Sequence, residues 1–259
     1  MLHKALSAVE GVEMHHEYMV QITQPLAVRN YLGLIGGEET ARLIAETYGG
    51  AIRYSGAKHW GDSSNKLSWL ISDLAAAFPK ARFIHLVRDG RKVASSYFHK
   101  LGAECYDDRS TAILQAHHDD PARYPAPPPE KKYWWPMPRR GSADAGPFRA
   151  FSQFERICWH WAELNRLVLK ELSQLPAERT LFVRLEELRA SPSEVRGLYD
   201  FLGLGYSDQA YGVFARPHNV NRPEDRLLDP QQRAQFEAIA GDMQARLGYA
   251  DRLEYRVNY

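Results

Sequence analysis

An arginine at the carboxyl end of a buried strand, followed eight positions later by a serine on the next helix, can grip one phosphate between them. Arg88 and Ser96 have that spacing in Phe83-Ile84-His85-Leu86-Val87-Arg88-Asp89-Gly90-Arg91-Lys92-Val93-Ala94-Ser95-Ser96-Tyr97. In open α/β sheets ligands bind beyond the carboxyl ends of the strands, and a guanidinium there offers a planar fork matched to phosphate oxygens. The competing reading pairs Arg88 with a neighbouring carboxylate, Asp89 or Glu186, and leaves Ser96 without a role.

Other chemistry-bearing residues stand apart from this motif. Trp134 and Trp135 lie in a proline-rich stretch, where they either stack on a flat ligand such as a sugar or aromatic ring or pin the stretch to the core. His15-His16 and His117-His118-Asp119-Asp120 lack the spaced ligand pairs of a zinc site, so no metal is predicted.

The elements that must position these groups follow from hydrophobic spacing. Leu2, Leu6 and Val9 share one helical face, so residue 1 already sits inside a helix. Residues 12–18 form a short separate segment. Glu38 to Tyr48 reads as a helix stopped by Gly49 and Gly50, and Ala51 to Tyr54 as a short strand. From Asn65 the positions Leu67, Leu70, Ile71, Leu74 and Phe78 predict a helix ended by Pro79. A strand over 82–87 and a helix through Val93, Ser96 and Tyr97 follow at once, the rhythm of a parallel α/β sheet. Residues 119–147, with six prolines between Pro125 and Pro138, read as an irregular insertion. A helix from Phe151 to Leu172, a strand at 180–184, and helices at 192–202 and 230–247 complete the chain. No internal repeat is present, and one domain spans residues 1–259.

Composition bounds the function. With 44% hydrophobic residues the 259-residue chain can bury one substantial core. Its 33 basic and 32 acidic residues leave no field for a polyanion, which excludes nucleic acid as the expected partner. Two cysteines, Cys105 and Cys158, read as free thiols in a reducing compartment, hence a cytoplasmic location. No stretch approaches the roughly 20 apolar residues of a membrane span.

The stretch from Phe78-Pro79 through Arg88 to Ser96 resembles the 3′-phosphate-binding motif of sulfotransferases that use 3′-phosphoadenosine 5′-phosphosulfate. Phe182-Val183-Arg184-Leu185-Glu186-Glu187-Leu188, followed by Pro192 and Phe201-Leu202-Gly203-Leu204, is similar to a later strand, turn and helix end of that family, and the helix closing at Gly248-Tyr249 to that of its bacterial members. The resemblance implies a three-layer α/β fold of the P-loop-NTPase-like sulfotransferase type with a mainly parallel sheet. It implies transfer of a sulfuryl group to a hydroxyl or amine of a small-molecule or carbohydrate acceptor, with no metal. Arg88 and Ser96 are then the donor's 3′-phosphate contacts. Arg222, in Asn219-Val220-Asn221-Arg222-Pro223, stands where the family covers its nucleotide with a loop and is either a second phosphate cation or an exposed loop arginine. Glu17 is the base the resemblance favours, because a glutamate in bacterial relatives follows the first helix and its connector. His59 and Asp62 are its rivals, and a plain surface carboxylate is the alternative for Glu17.

Two departures accompany the resemblance. The family's first strand and its lysine-, serine-, glycine- and threonine-rich 5′-phosphosulfate loop have no counterpart, so the sequence is expected to begin downstream of them. Leu185 replaces a tyrosine that many relatives place near the adenine. A sulfotransferase-like binding module without activity and a small-molecule kinase are the competing readings. The Arg88 to Ser96 spacing disfavours the kinase.

Overall fold

The computed structural model describes residues 1–216 and 227–255. Its framework is two pairs of parallel strands. In the first, β1 (Val12–His16) runs beside β2 (His59–Ser63), with Val12 opposite His59 and His16 opposite Ser63. In the second, β3 (Phe83–Val87) runs beside β4 (Thr180–Arg184), with Phe83 opposite Thr180 and Val87 opposite Arg184.

Parallel neighbours need long crossovers, and helices supply them. The first crossover carries α2 (Val20–Leu32), α3 (Gly37–Ile44) and α4 (Gly50–Tyr54), and α1 (Leu2–Leu6) precedes β1. Between the pairs lie a 3₁₀ turn at Asn65–Trp69 and α5 (Ile71–Ala77). The second crossover carries α6 (Gly90–Lys100), α7 (Asp108–Asp119), α8 (Ala145–Ala150) and α9 (Gln153–Leu172). After β4 come α10 (Leu185–Ala190), α11 (Pro192–Leu202), α12 (Asp208–Ala215) and α13 (Pro230–Arg246).

The period of two along a strand divides the interior. Phe83 and Val87 of β3 pack into a cluster built largely on α2, α9, α13 and the insertion. Ile84 and Leu86, pointing the other way, pack with Val183 of β4 into a second cluster under α1, α11 and α12. Val12 and Met14 of β1 join that second cluster, and Trp60 of β2 joins the first. Strands between two helical layers make the α/β three-layer arrangement, with the parallel pairing divided between two short sheets rather than one.

Local chemistry explains the boundaries. Asp89 caps α6 by accepting from the Arg91 N–H, and Ser152 with Glu155 forms a capping box at the head of α9. Pro192 and Pro230 occupy first-turn positions of α11 and α13. Gly203, at φ 70, closes α11 in the left-handed conformation.

Several expected elements are corrected. The strand expected at 51–54 is helical α4. Gly49 and Gly50 keep right-handed helical backbone, and a π turn over Ala45–Gly49 carries the helix past them. Ile52 and Tyr54 are exposed, so this segment has no buried face to offer a sheet. The single helix expected from Asn65 is broken at Leu70 into the 3₁₀ turn and α5. His59 to Ser63, for which the spacing predicts no element, is the strand β2. The insertion is irregular apart from a 3₁₀ turn at Lys131–Tyr133, yet Trp134, Trp135 and Met137 are buried.

Candidate functional site

Strand carboxyl ends collect the charged groups. Beyond β1 the chain turns sharply, with Glu17 and Met19 both in left-handed backbone, φ 57 and 48. Non-glycine residues adopt that region only where the surroundings hold them there. Here the Glu17 N–H donates to the Ser63 carbonyl at 3.3 Å, across the end of the β1–β2 pair. The Glu17 carboxylate then receives two ammonium groups, Lys66 at 2.7 Å and Lys131 from the insertion.

Burial alone would raise the Glu17 pKa, but the two lysines outweigh it and hold the carboxyl at about 2. Burial pushes the Lys66 ammonium down, and Glu17 opposes that shift. Glu17 is therefore a fully ionised, doubly paired carboxylate at neutral pH. Lys66 also lies over the Trp135 ring, 5.4 Å from its centroid.

The rivals of Glu17 are placed differently. Asp62 accepts from the Tyr18 N–H at 3.2 Å and the Tyr48 hydroxyl at 3.3 Å, so both of its oxygens are engaged in holding the turn after β1. Burial raises its pKa against those two hydrogen bonds. His59 begins β2, at the end opposite Ser63, and four residues of strand put about 13 Å between the two ends.

Arg88 follows β3 directly, and Ser96 lies on α6. Neither carboxylate considered as a partner for Arg88 is available. Asp89 is buried and takes a bidentate pair from Arg91, at 3.0 and 2.6 Å, plus the Gln244 amide at 3.0 Å. Glu186 accepts from the Asp89 N–H at 3.1 Å and the Tyr249 hydroxyl at 2.7 Å. The Arg88 Nε is buried without a hydrogen-bond partner among the described residues, and its guanidinium rests on the Tyr255 ring at 5.6 Å. No hydrogen bond joins Arg88 to Ser96 among the described residues. Arg222 lies outside them.

One contact ties the two regions together. Tyr97, next to Ser96 on α6, accepts from the Asn65 amide at 2.7 Å, and Asn65 is next to Lys66. This hydrogen bond links the helix that follows Arg88 to the turn that carries Lys66.

Lys66 and Lys131 are functional candidates that sequence reasoning missed. Lys66 would have been visible had residues 59–63 been read as a strand, because it then follows a strand end with Ser64 as cap. Lys131 carried no local signal, since it meets Glu17 across 114 residues of chain. Trp134 and Trp135 donate their indole N–H groups to the Pro128 and Glu104 carbonyls, which supports the pinning role. His117 is bound to the Tyr124 carbonyl, and among the described residues no three His, Cys, Asp or Glu side chains converge as metal ligands. Cys105 and Cys158 are buried free thiols. No helix among the described residues is long and apolar enough to cross a membrane.

Two family models match the chain: a "Sulfotransferase family" model over residues 3–124 and a "Sulfotransferase domain" model over residues 70–238, the latter well over half its length. The chain belongs to the sulfotransferase family. Both matches cover residues 70–124, and with them Arg88 and Ser96. Among solved structures, the sulfotransferase domain from the curacin biosynthetic pathway is similar, at 12% identity and TM-score 0.46, over 92% of this chain and 97% of that one. No curated protein matches.

Proposed function

We propose that this sulfotransferase takes its sulfuryl group from 3′-phosphoadenosine 5′-phosphosulfate and transfers it to a hydroxyl or amine of a small-molecule or carbohydrate acceptor. The observation that carries the reading is the orphaned, buried Nε of Arg88 at the end of β3, beside two carboxylates that are both held elsewhere. A buried N–H left unpaired on a cation is costly, and a phosphate oxygen is a ligand that relieves it.

In the transfer the acceptor oxygen or nitrogen attacks sulfur, and the bond from sulfur to the 5′-phosphate oxygen breaks. The acceptor proton passes to Glu17, and 3′,5′-diphosphoadenosine leaves. Arg88 and Ser96 hold the 3′-phosphate, Lys66 faces the charge that develops during transfer, and Arg222 is a second candidate cation. A carboxyl held at about 2 is a weak base, so Glu17 acts once Lys131, the more exposed of its two partners, has released it. As in phosphoryl transfer, positioning and charge neutralisation supply most of the catalysis.

Calorimetric titration of the chain with 3′,5′-diphosphoadenosine, beside ATP and beside Arg88→Ala, tests this. Selective binding of the diphosphoadenosine, weakened at least about tenfold in the variant, is the expected result. Equal binding of ATP, or affinity unchanged in Arg88→Ala, would refute the nucleotide site.

A further inference from the structure

Past α13 the chain turns at Gly248, φ 82, and runs back across the head of α6 as a strap over residues 250–255. Polar contacts hold it there. The Arg252 carbonyl accepts from the Arg91 guanidinium at 3.0 Å, and the Arg252 guanidinium donates to Glu187 at 3.0 Å. The Glu254 carboxylate lies 2.9 Å from Arg233 of α13 and 4.0 Å from the buried Lys92 ammonium of α6. The Tyr255 N–H reaches the Asp89 carboxylate at 3.5 Å.

Two cations converge on Tyr255. Its ring centroid is 5.6 Å from the Arg88 guanidinium and 5.5 Å from that of Arg189 on α10, and its hydroxyl accepts from Arg189. The carboxylates at this strand end are held by Arg91, Gln244 and Tyr249. Two guanidiniums that share a neutral phenol make a place that an incoming anion would contest, because charge-assisted hydrogen bonds to phosphate are stronger than a stack on a ring.

The strap is also weakly docked. Residues 250–255 form no helix or strand, and Leu253 is 94% exposed, so the largest aliphatic side chain of the segment adds nothing to its attachment. Ion pairs and a cation–π stack remain, each a small contribution, which puts the segment at the low-stability end of the fold.

We propose that the strap is an autoinhibitory gate: the Tyr255 ring occupies Arg88 and Arg189 until a ligand's phosphate displaces it, and the strap then lifts from the head of α6. The gate rests on the phosphate role given to Arg88 above and adds the step that brings a phosphate there. The Arg88 Nε is buried with the Tyr255 ring against its guanidinium, so a phosphate oxygen reaches it once the ring leaves. A ligand that must first open a closed state binds with an affinity reduced by the open fraction, so weakening the latch tightens binding.

The test titrates the full chain with 3′,5′-diphosphoadenosine as wild type, Tyr255→Phe and Tyr255→Ala. Tyr255→Ala removes ring and hydroxyl together and should tighten binding by about fivefold, the equivalent of one cation–π contact. Tyr255→Phe keeps the ring and loses the hydrogen bond from Arg189, and should tighten it by about twofold. Trypsin reports the strap directly, because Arg252 is held at both its carbonyl and its guanidinium while the strap is down. Cleavage after Arg252, followed by mass spectrometry, should accelerate by about the same fivefold in Tyr255→Ala and in wild type saturated with the nucleotide. Affinity unchanged or weakened in Tyr255→Ala, or cleavage that saturating nucleotide fails to accelerate, would overturn the gate and leave the nucleotide site standing. Binding in neither the wild type nor Tyr255→Ala would refute the nucleotide site itself, and the gate with it.

Discussion

The two halves of the site meet the same problem, a charge near the interior, in opposite ways. At the end of β1 the carboxylate of Glu17 is matched by two lysines, one from the turn after β2 and one from the insertion. At the end of β3 the neighbouring acids are paired with Arg91, Gln244 and Tyr249, and among the described residues Arg88 keeps a buried Nε without a hydrogen-bond partner. The Glu17 half is complete as it stands and contributes to stability. The Arg88 half has no carboxylate on Arg88 among the described residues, which is why the proposed function puts the ligand's phosphate there.

Substitution at each end should expose that contrast. Glu17→Gln leaves Lys66 buried without its counter-charge, and stability to urea at pH 7 should fall by about 3 kcal/mol. The sign of the pH dependence follows from the lowered pKa. Glu17's contribution is fully present above the ordinary value of 4.5 and is lost as pH falls towards about 2, a difference of about 3 kcal/mol. Asp62, with its pKa raised, acts in the opposite sense and does not account for that loss. Urea midpoints measured from pH 6 to pH 2.5 should therefore converge for the wild type and Glu17→Gln at the acid end. Parallel curves would show that the two lysines do not hold Glu17 as described.

Lys131→Met removes the more exposed partner, whose side chain is 38% accessible, and should cost about 1 kcal/mol in the same assay. Arg88→Ala removes a group with no hydrogen bond at Nε and should change stability by less than about 1 kcal/mol, although it is the substitution that weakens nucleotide binding. A loss as large as that of Glu17→Gln would erase the contrast between the two ends.

The legibility of the two halves differs for a physical reason. The Arg88 half is local: the strand run Phe83–Val87, the cap at Asp89 and the helix that follows occupy consecutive residues, and each has a short-range signature. The Glu17 half is assembled from three distant segments. β2 hides behind a sequence in which Trp60 is its large apolar residue, and α2 carries Pro25 in its interior, which masks a helical pattern. The proline-rich insertion reads as irregular, but its buried tryptophans and Lys131 acquire meaning only from what they touch across the fold.

The smallest expected effect separates the rivals for the acceptor side. His59 begins β2 opposite Val12, at the far end of the strand from the turn that holds Glu17. His59→Ala should leave stability within about 0.5 kcal/mol, as for a substitution away from any paired network. Asp62→Asn keeps one acceptor for the Tyr18 N–H or the Tyr48 hydroxyl but weakens the other, and should cost about 1 kcal/mol by loosening the turn that carries Glu17. The acid-end loss of stability that Glu17 causes then discriminates between them. If Asp62 holds the turn that carries Glu17, the loss between pH 6 and pH 2.5 is unchanged in His59→Ala and shrinks in Asp62→Asn. A His59→Ala chain that folds normally yet loses that acid-end dependence would tie Glu17 to the opposite end of β2 and overturn the role given to Asp62.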